Sequence, residues 1–121
     1  MHPKCVLIVD DHAEVRQALR SLFVSNGLEV CGEAVNGLDA IQKAQNLNPD
    51  LILLDLSMPV MNGLEAAREL SKIMPNVPLV MFTNHASKSM EEEARKVGIL
   101  RVISKNGAYD RLVTHARELL N

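Results

Sequence analysis

The chain has 121 residues, of which 47% are hydrophobic and 23% charged, values that fit one globular domain over residues 1–121 and exclude disorder. Thirteen Lys and Arg oppose fifteen Asp and Glu for a formal charge of −2, so no large basic surface exists and direct nucleic-acid binding through phosphates is not expected. No apolar run approaches ~18 residues, and the opening Met1-His2-Pro3-Lys4-Cys5 lacks the layout of a signal peptide, so no membrane contact is expected and the cytoplasm is the expected compartment.

In chain order, residues 5–9 read as a first strand, continuously apolar from Val6 to Val9. A helix follows, with Val15, Ala18, Leu19, Leu22 and Phe23 on one stripe and Gly27 as its stop. Residues 28–34 are the second strand. A shorter helix carries Leu38, Ile41, Ala44 and Leu47 and stops at Pro49. Leu51-Ile52-Leu53-Leu54 is the third strand, again apolar throughout. Asn62 with Glu65 forms a capping pair for a third helix bearing Ala66, Leu70, Ile73 and Met74. Residues 77–83 are the fourth strand. The fourth helix is thin in apolar residues (Met90, Ala94, Val97), with Glu91-Glu92-Glu93 on its solvent side and Gly98 at its end. Residues 101–104 are the fifth strand, and Leu112, Val113, Ala116, Leu119 and Leu120 stripe the last helix. Asn-Gly occurs at 26–27, 36–37, 62–63 and 106–107; each pair borders a helical pattern, so these are caps and turns rather than hairpins.

Strands recurring about every 23 residues with helices between them make an α/β doubly wound five-stranded parallel sheet. Right-handed crossovers favour the order 2-1-3-4-5, with the ligand crevice at the carboxyl ends of strands one and three. Cys5 and Cys31 lie in strand-like runs without C-x-x-C spacing and are expected as two separate buried thiols.

The strand ends carry the chemistry. Strand one ends in Asp10-Asp11, strand three in Asp55, strand four in Thr83 and strand five in Ser104-Lys105. Any one polar residue there is an ordinary strand terminus; the set is not. Two unit charges ~4 Å apart repel by ~4 kcal/mol at an effective dielectric of ~20, so clustered carboxylates must hold protons or a cation. Few hard oxygen ligands without a protein cage favour Mg²⁺ over Ca²⁺. Asp55 is central and the best placed of the three to act as a nucleophile toward phosphorus, with a metal on one side and Lys105 on the other. His12 and His85 would flank the mouth of such a pocket, where a transition-metal site is the lesser expectation. His2 is read as a terminal residue and His115 as a solvated helix residue.

With these residues in place the chain resembles the receiver domains of two-component response regulators over nearly its whole length. Asp55-Leu56-Ser57-Met58-Pro59-Val60-Met61-Asn62-Gly63 matches the family pattern D-x-x-M-P-x-M-x-G, Ile8-Val9-Asp10-Asp11-His12 matches its acidic start, and Phe82-Thr83 and Ser104-Lys105 match its later marks. The Asp-Asp-His start resembles receivers joined to LuxR-type helix-turn-helix domains. The resemblance implies a flavodoxin-like, CheY-like three-layer sandwich and a cytoplasmic signalling phosphoprotein. It implies that Asp55 takes a phosphoryl group from a sensor histidine kinase. Asp11, Asp55 and the Ser57 backbone carbonyl would bind Mg²⁺, with Asp10 acting through water and Thr83 and Lys105 holding phosphoryl oxygens. A homodimer or a fused output domain are the further partners it allows.

Several positions depart from the family. Val102 stands where an aromatic switch residue is usual, and Tyr109, the one tyrosine, lies beyond the lysine. Asn106 replaces a frequent proline, where a cis bond would cost ~3 kcal/mol. Asn84 replaces a small residue beside Thr83, and Ser57 and His85 occupy rim positions that tune dephosphorylation in the family. Met90, Val97, Ile99, Leu100 and Tyr109 form either a partner face or the edge of an ordinary core. Alternatives to the phosphoacceptor are a switch-defective receiver used as a scaffold and an aspartyl-nucleophile phosphatase. The latter usually needs a second carboxylate two residues after the nucleophile, where Ser57 stands. A flavin module is disfavoured by Asp10-Asp11 in place of a phosphate loop. No enzyme acting on outside substrates is expected.

Overall fold

The computed structural model describes residues 3–107 and 109–121, so His2 lies outside the described residues. Ten elements alternate: β1 Cys5–Val9, α1 Ala13–Ser25, β2 Glu29–Ala34, α2 Gly37–Leu47, β3 Leu51–Leu54, α3 Gly63–Ile73, β4 Leu79–Thr83, α4 Lys88–Lys96, β5 Ile99–Ser104 and α5 Asp110–Leu120. The strands pair in parallel in the order β2-β1-β3-β4-β5, as expected. The apolar runs are buried on both faces because successive side chains point to opposite sides of a strand. Leu7, Val9, Ile52, Leu54, Leu79 and Met81 pack with α2, α3 and α4; Val6, Ile8, Leu51, Leu53, Val80 and Phe82 pack with α1 and α5. The Asn62–Glu65 capping box is present in full, and Asn36 caps α2 through Asp39 N–H.

Strand boundaries move for local reasons. Leu28 N–H closes onto Phe23 O at 2.9 Å and so ends α1 rather than starting β2. Val77 N–H turns back to Met74 O, and Pro78 has no N–H for the ladder, so β4 starts at Leu79. The fifth strand starts earlier, because Leu79 pairs with Ile99 and Val80 with Arg101; Leu100 is the extra residue of a bulge and is 60% exposed. Met90 and Val97 pack on the core, Tyr109 packs on the opposite core layer, and Ile99 is buried. These residues are therefore the edge of an ordinary core, with Leu100 alone pointing out. His115 is not a free surface residue: its Nδ1 lies 2.8 Å from Arg101 Nη1, half-buried.

The cysteines require a correction. Cys5 and Cys31 are joined as a disulfide, Cα atoms 5.3 Å apart, and both are half-buried. Val6 pairs with Val30 and Leu7 with Gly32, so Cys31 is the extra residue of a bulge on β2 that sets it beside Cys5 on β1. Spacing along the chain does not reveal this contact, since the two positions are 26 apart and meet only through parallel pairing.

Candidate functional site

β1 and β3 run side by side, Val9 opposite Leu54, and both chains leave the sheet with an aspartate. Asp10 N–H still reaches Ala34 O at 3.0 Å and Asp55 N–H reaches Val9 O at 2.9 Å, so backbone pairing fixes both carboxylates at the rim. Asp10 and Asp55 are buried. Oxygens of Asp10, Asp11 and Asp55 and a ring nitrogen of His12 all lie within 4.8 Å of one another, which is the convergence the strand ends predict.

The loop carrying D-x-x-M-P-x-M-x-G is tethered throughout. Gly63 N–H donates to Leu56 O at 2.9 Å and Gly37 N–H to Met61 O at 2.9 Å, while Met58 is buried. A Cβ on Gly63 would stand 2.2 Å from the Asp55 carbonyl oxygen, so only glycine lets α3 start this close to the end of β3. Val60, by contrast, is a β-branched residue held at φ 70°.

Lys105 is drawn in by β5, its N–H donating to Thr83 O at 3.0 Å. Its Nζ donates to Asp10 Oδ2 at 2.7 Å, stands 3.4 Å from Asp55 Oδ1 and lies 5.9 Å from the centre of the Phe82 ring. Asp10 Oδ1 accepts from His12 N–H at 2.9 Å, and Asp55 Oδ1 from Leu56 N–H at 2.9 Å. Asp11 Oδ1 is buried without a hydrogen-bond partner. Burial holds the Asp55 carboxyl above its ordinary range, Lys105 opposes that shift and the Asp10 charge adds to it. Burial would lower the Lys105 ammonium, but Asp10 first and then Asp55 outweigh it and push it up. Burial leads the Asp55 rise and the two carboxylate partners lead the Lys105 rise, while the geometry itself leaves a surplus of negative charge, three carboxylates facing one ammonium. That surplus, the orphaned Asp11 oxygen and the hard oxygen donors fit a divalent cation.

Thr83 is fully buried and does not line the cleft; its Oγ1 accepts from His85 N–H at 3.1 Å, which leaves the hydroxyl proton available. The cleft, about 320 Å³, is lined by His12, Val15, Asp55, Ser57, Asn84, His85, Lys105 and Tyr109. Ser57 also borders a second, shallower depression beside Asp11. His12 and His85 therefore do share the pocket mouth. Tyr109 meets Phe82 edge-on at 5.0 Å, so the one tyrosine reaches the site from α5, while Val102 is half-buried against the α4 side of the core. Among the described residues no peptide bond is cis, so Lys105–Asn106 is trans. Sequence reasoning missed Arg16: its Nη1 donates to the Asp10 carbonyl at 2.7 Å while its Nε holds Glu33 at 3.0 Å. A helical arginine six residues after the aspartate is the signal that was present.

A family model described as "Response regulator receiver domain" matches residues 6–117. The chain is 41% identical over 102 residues to the chemotaxis protein CheY of Thermotoga maritima, covering 84% of this chain and 85% of that protein. It is 35% identical over 118 residues to a protein-glutamate methylesterase/protein-glutamine glutaminase of Methanosarcina acetivorans, covering 95% of this chain but 34% of that protein. The crystal structure of a LuxR-family DNA-binding response regulator from Staphylococcus aureus superposes with a TM-score of 0.90 at 28% identity, covering 98% of this chain and 99% of that one. The chain thus spans most of the first relative and about a third of the second.

Proposed function

The chain belongs to the response regulator receiver domain family, and from that premise we propose that it is a phosphoacceptor in which Asp55 takes a phosphoryl group from a phosphohistidine of a sensor histidine kinase. The phosphorus–nitrogen bond of the donor breaks, a phosphorus–oxygen bond to Asp55 forms, and the leaving imidazole keeps the bonding pair. The observation that carries this reading is the buried Asp55 carboxylate at the rim of the cleft with the Lys105 ammonium 3.4 Å away. Lys105 offsets charge on one phosphoryl oxygen. Thr83 has its hydroxyl proton free to donate to another once the hydroxyl turns toward the cleft. Asp11, Asp55 and the Ser57 carbonyl are the proposed holders of Mg²⁺, with Asp10 acting through water; the bound ion supplies the positive charge that offsets the phosphoryl oxygens.

Phosphorylation from small donors and autodephosphorylation are the only chemistry proposed, and residues 1–121 are proposed as one receiver domain. Its output is a changed contact with a partner, a fused domain or a second copy. The cytoplasm is the proposed compartment, where thiols are kept reduced, so the Cys5–Cys31 bond describes an oxidised form there.

The test is incubation with acetyl phosphate and a divalent cation, followed by intact-mass measurement. One phosphoryl group should add, and Asp55→Asn should abolish it; labelling that persists in the variant would move the acceptor elsewhere. Val102, half-buried where the family carries an aromatic, favours a second reading as a switch-defective scaffold. In that case Asp55 would be phosphorylated without amide shift changes on α4.

A further inference from the structure

We infer that Arg16 is a positioning residue of the phosphoacceptor site: anchored on Glu33, its guanidinium holds the Asp10 carbonyl and so sets the peptide plane from which Asp10 and Asp11 present their carboxylates to a divalent cation. The inference rests on the proposed function and adds to it a residue that touches neither the phosphoryl group nor the ion.

Three contacts make the hold. Arg16 Nη1 donates to the Asp10 carbonyl at 2.7 Å, and its Nε donates to Glu33 Oε1 at 3.0 Å. Asp10 N–H donates to Ala34 O at 3.0 Å. Both peptide groups flanking the Asp10 α-carbon are thus pinned to β2, one by the backbone at Ala34 and the other through the side chain of its neighbour Glu33. The Asp10 carbonyl and the Asp11 N–H belong to one planar peptide, so the same bond fixes the start of Asp11. Asp11 depends on this most, because its Oδ1 is buried and accepts no hydrogen bond that would direct it.

An ordinary ion pair on a helix face does not require this arrangement. Glu33 already has a partner in Arg20, one turn along α1, whose Nε donates to Glu33 Oε2 at 2.7 Å. Two guanidinium groups share one carboxylate, and the one nearer the site sends a second donor to a backbone oxygen. The Arg16 side chain is 16% exposed, against 43% for Arg20. Burial would raise the Glu33 carboxyl, but Arg20 and Arg16 outweigh it and hold it below its usual range, so the anchor stays ionised. Lys43 Nζ donates to the Glu33 carbonyl at 2.5 Å, which steadies the anchor from α2. Arginine suits the role because its planar fork carries donors on separate nitrogens that reach two acceptors at once.

The experiment follows Mg²⁺ binding to the full chain by amide chemical shifts, alongside the rate of phosphorylation from acetyl phosphate across Mg²⁺ concentrations. Arg16→Gln removes a positive charge near the acids, which by electrostatics alone would tighten Mg²⁺. Loss of positioning has the opposite sign, so Arg16→Gln should weaken Mg²⁺ by about tenfold. The Mg²⁺ concentration for half-maximal rate should rise equally, with the rate at saturating Mg²⁺ within about twofold of wild type. Glu33→Gln tests the same hold from its other end and should shift Mg²⁺ binding in the same direction. Arg20→Gln removes the same charge from the same carboxylate but leaves the Asp10 carbonyl held, and should keep Mg²⁺ affinity within about twofold. A lower unfolding midpoint in Arg16→Gln with unchanged Mg²⁺ affinity means a merely structural arginine and overturns the inference, leaving the phosphoacceptor reading intact. Tighter Mg²⁺ binding in Arg16→Gln also overturns it, because Arg16 would then act as a competing charge. The expected Mg²⁺ shift without any phosphorylation of wild type leaves the hold on the two acids standing and removes the phosphoacceptor reading. Absence of Mg²⁺ binding by wild type overturns both.

Discussion

The Lys105 ammonium is closer to Asp10, at 2.7 Å, than to Asp55, at 3.4 Å. In this state the closer charge pair is therefore Lys105–Asp10, and the Asp55 carboxylate has only a share of the ammonium. Replacing Lys105 by Met leaves buried carboxylates without their cation. Breaking one partner of a buried pair costs about 3–5 kcal/mol, and the half-share at Asp55 puts the expected loss near the lower bound. Urea unfolding in EDTA should register it. Divalent cations should then restore more stability to the variant than to wild type, because the competing ammonium is gone; equal restoration would contradict this.

Asp55 gives a pH dependence with a definite sign. Its carboxyl is held above the ordinary 3.8 by burial, with Lys105 opposing and Asp10 adding to the shift. A raised folded pKa means that the folded protein binds the proton more tightly than the unfolded chain. Ionised Asp55 therefore lowers stability at neutral pH, and that cost disappears as pH falls through the folded pKa toward 3.8. In EDTA, Asp55→Asn should raise Tm near neutrality. The gain should vanish below the ordinary carboxyl range. Added Mg²⁺ should reverse the ranking, since it stabilises wild type through a ligand the variant lacks.

How much of this was legible follows from what each feature depends on. The sheet and the meeting of Asp10, Asp11 and Asp55 depend on apolar runs of strand length, and those are written in consecutive residues. The capping box at Asn62 and Glu65 is likewise local. The bulges at Cys31 and Leu100 are not, because a register shift depends on how two strands compete for pairing. The disulfide and the exposure of Leu100 follow from those bulges and stayed hidden with them. The place of Thr83 at the end of the fourth strand was legible, but not its hydrogen bond from His85 N–H, a contact made by the loop rather than by the strand. Arg16 was passed over because a charged residue on a helix stripe reads as solvated, whereas here it spans from Glu33 to the Asp10 carbonyl.

The Cys5–Cys31 bond closes a loop of 26 residues between the first two strands. By loop-closure entropy such a crosslink stabilises by roughly 3.5 kcal/mol at 25 °C. Thermal melts of wild type with and without reductant should separate by about 14 °C at this chain length. A Cys5→Ser, Cys31→Ser double variant should match reduced wild type and ignore reductant. If reductant has no effect on wild type, the pair is already open in solution.

Val60 sits at φ 70° with its side chain 78% exposed, inside the tethered loop between Asp55 and α3. Met61 N–H donates to Pro59 O at 2.7 Å across it, which makes Val60 the centre of a γ-turn, and a β-branched residue at this positive φ is strained by an amount of order 1–3 kcal/mol. No buried contact offsets it, because the side chain points to solvent. The loop is instead held by its neighbours: Met61 O accepts from Gly37 N–H and Leu56 O from Gly63 N–H. Those bonds fix the backbone around residue 60 whatever its side chain. Val60→Gly, which has no Cβ to strain in this turn, should therefore raise stability by up to about 1 kcal/mol, the relief being partly offset because glycine also loosens the unfolded chain, without moving Asp55. Val60→Asn should gain less, because asparagine tolerates the left-handed helical well rather than a γ-turn. Denaturant midpoints of the two variants check the ranking, and the rate of phosphorylation from a small donor checks that the acceptor is undisturbed. A clear loss of stability in Val60→Gly would mean that the valine methyls make a contact that outweighs the strain.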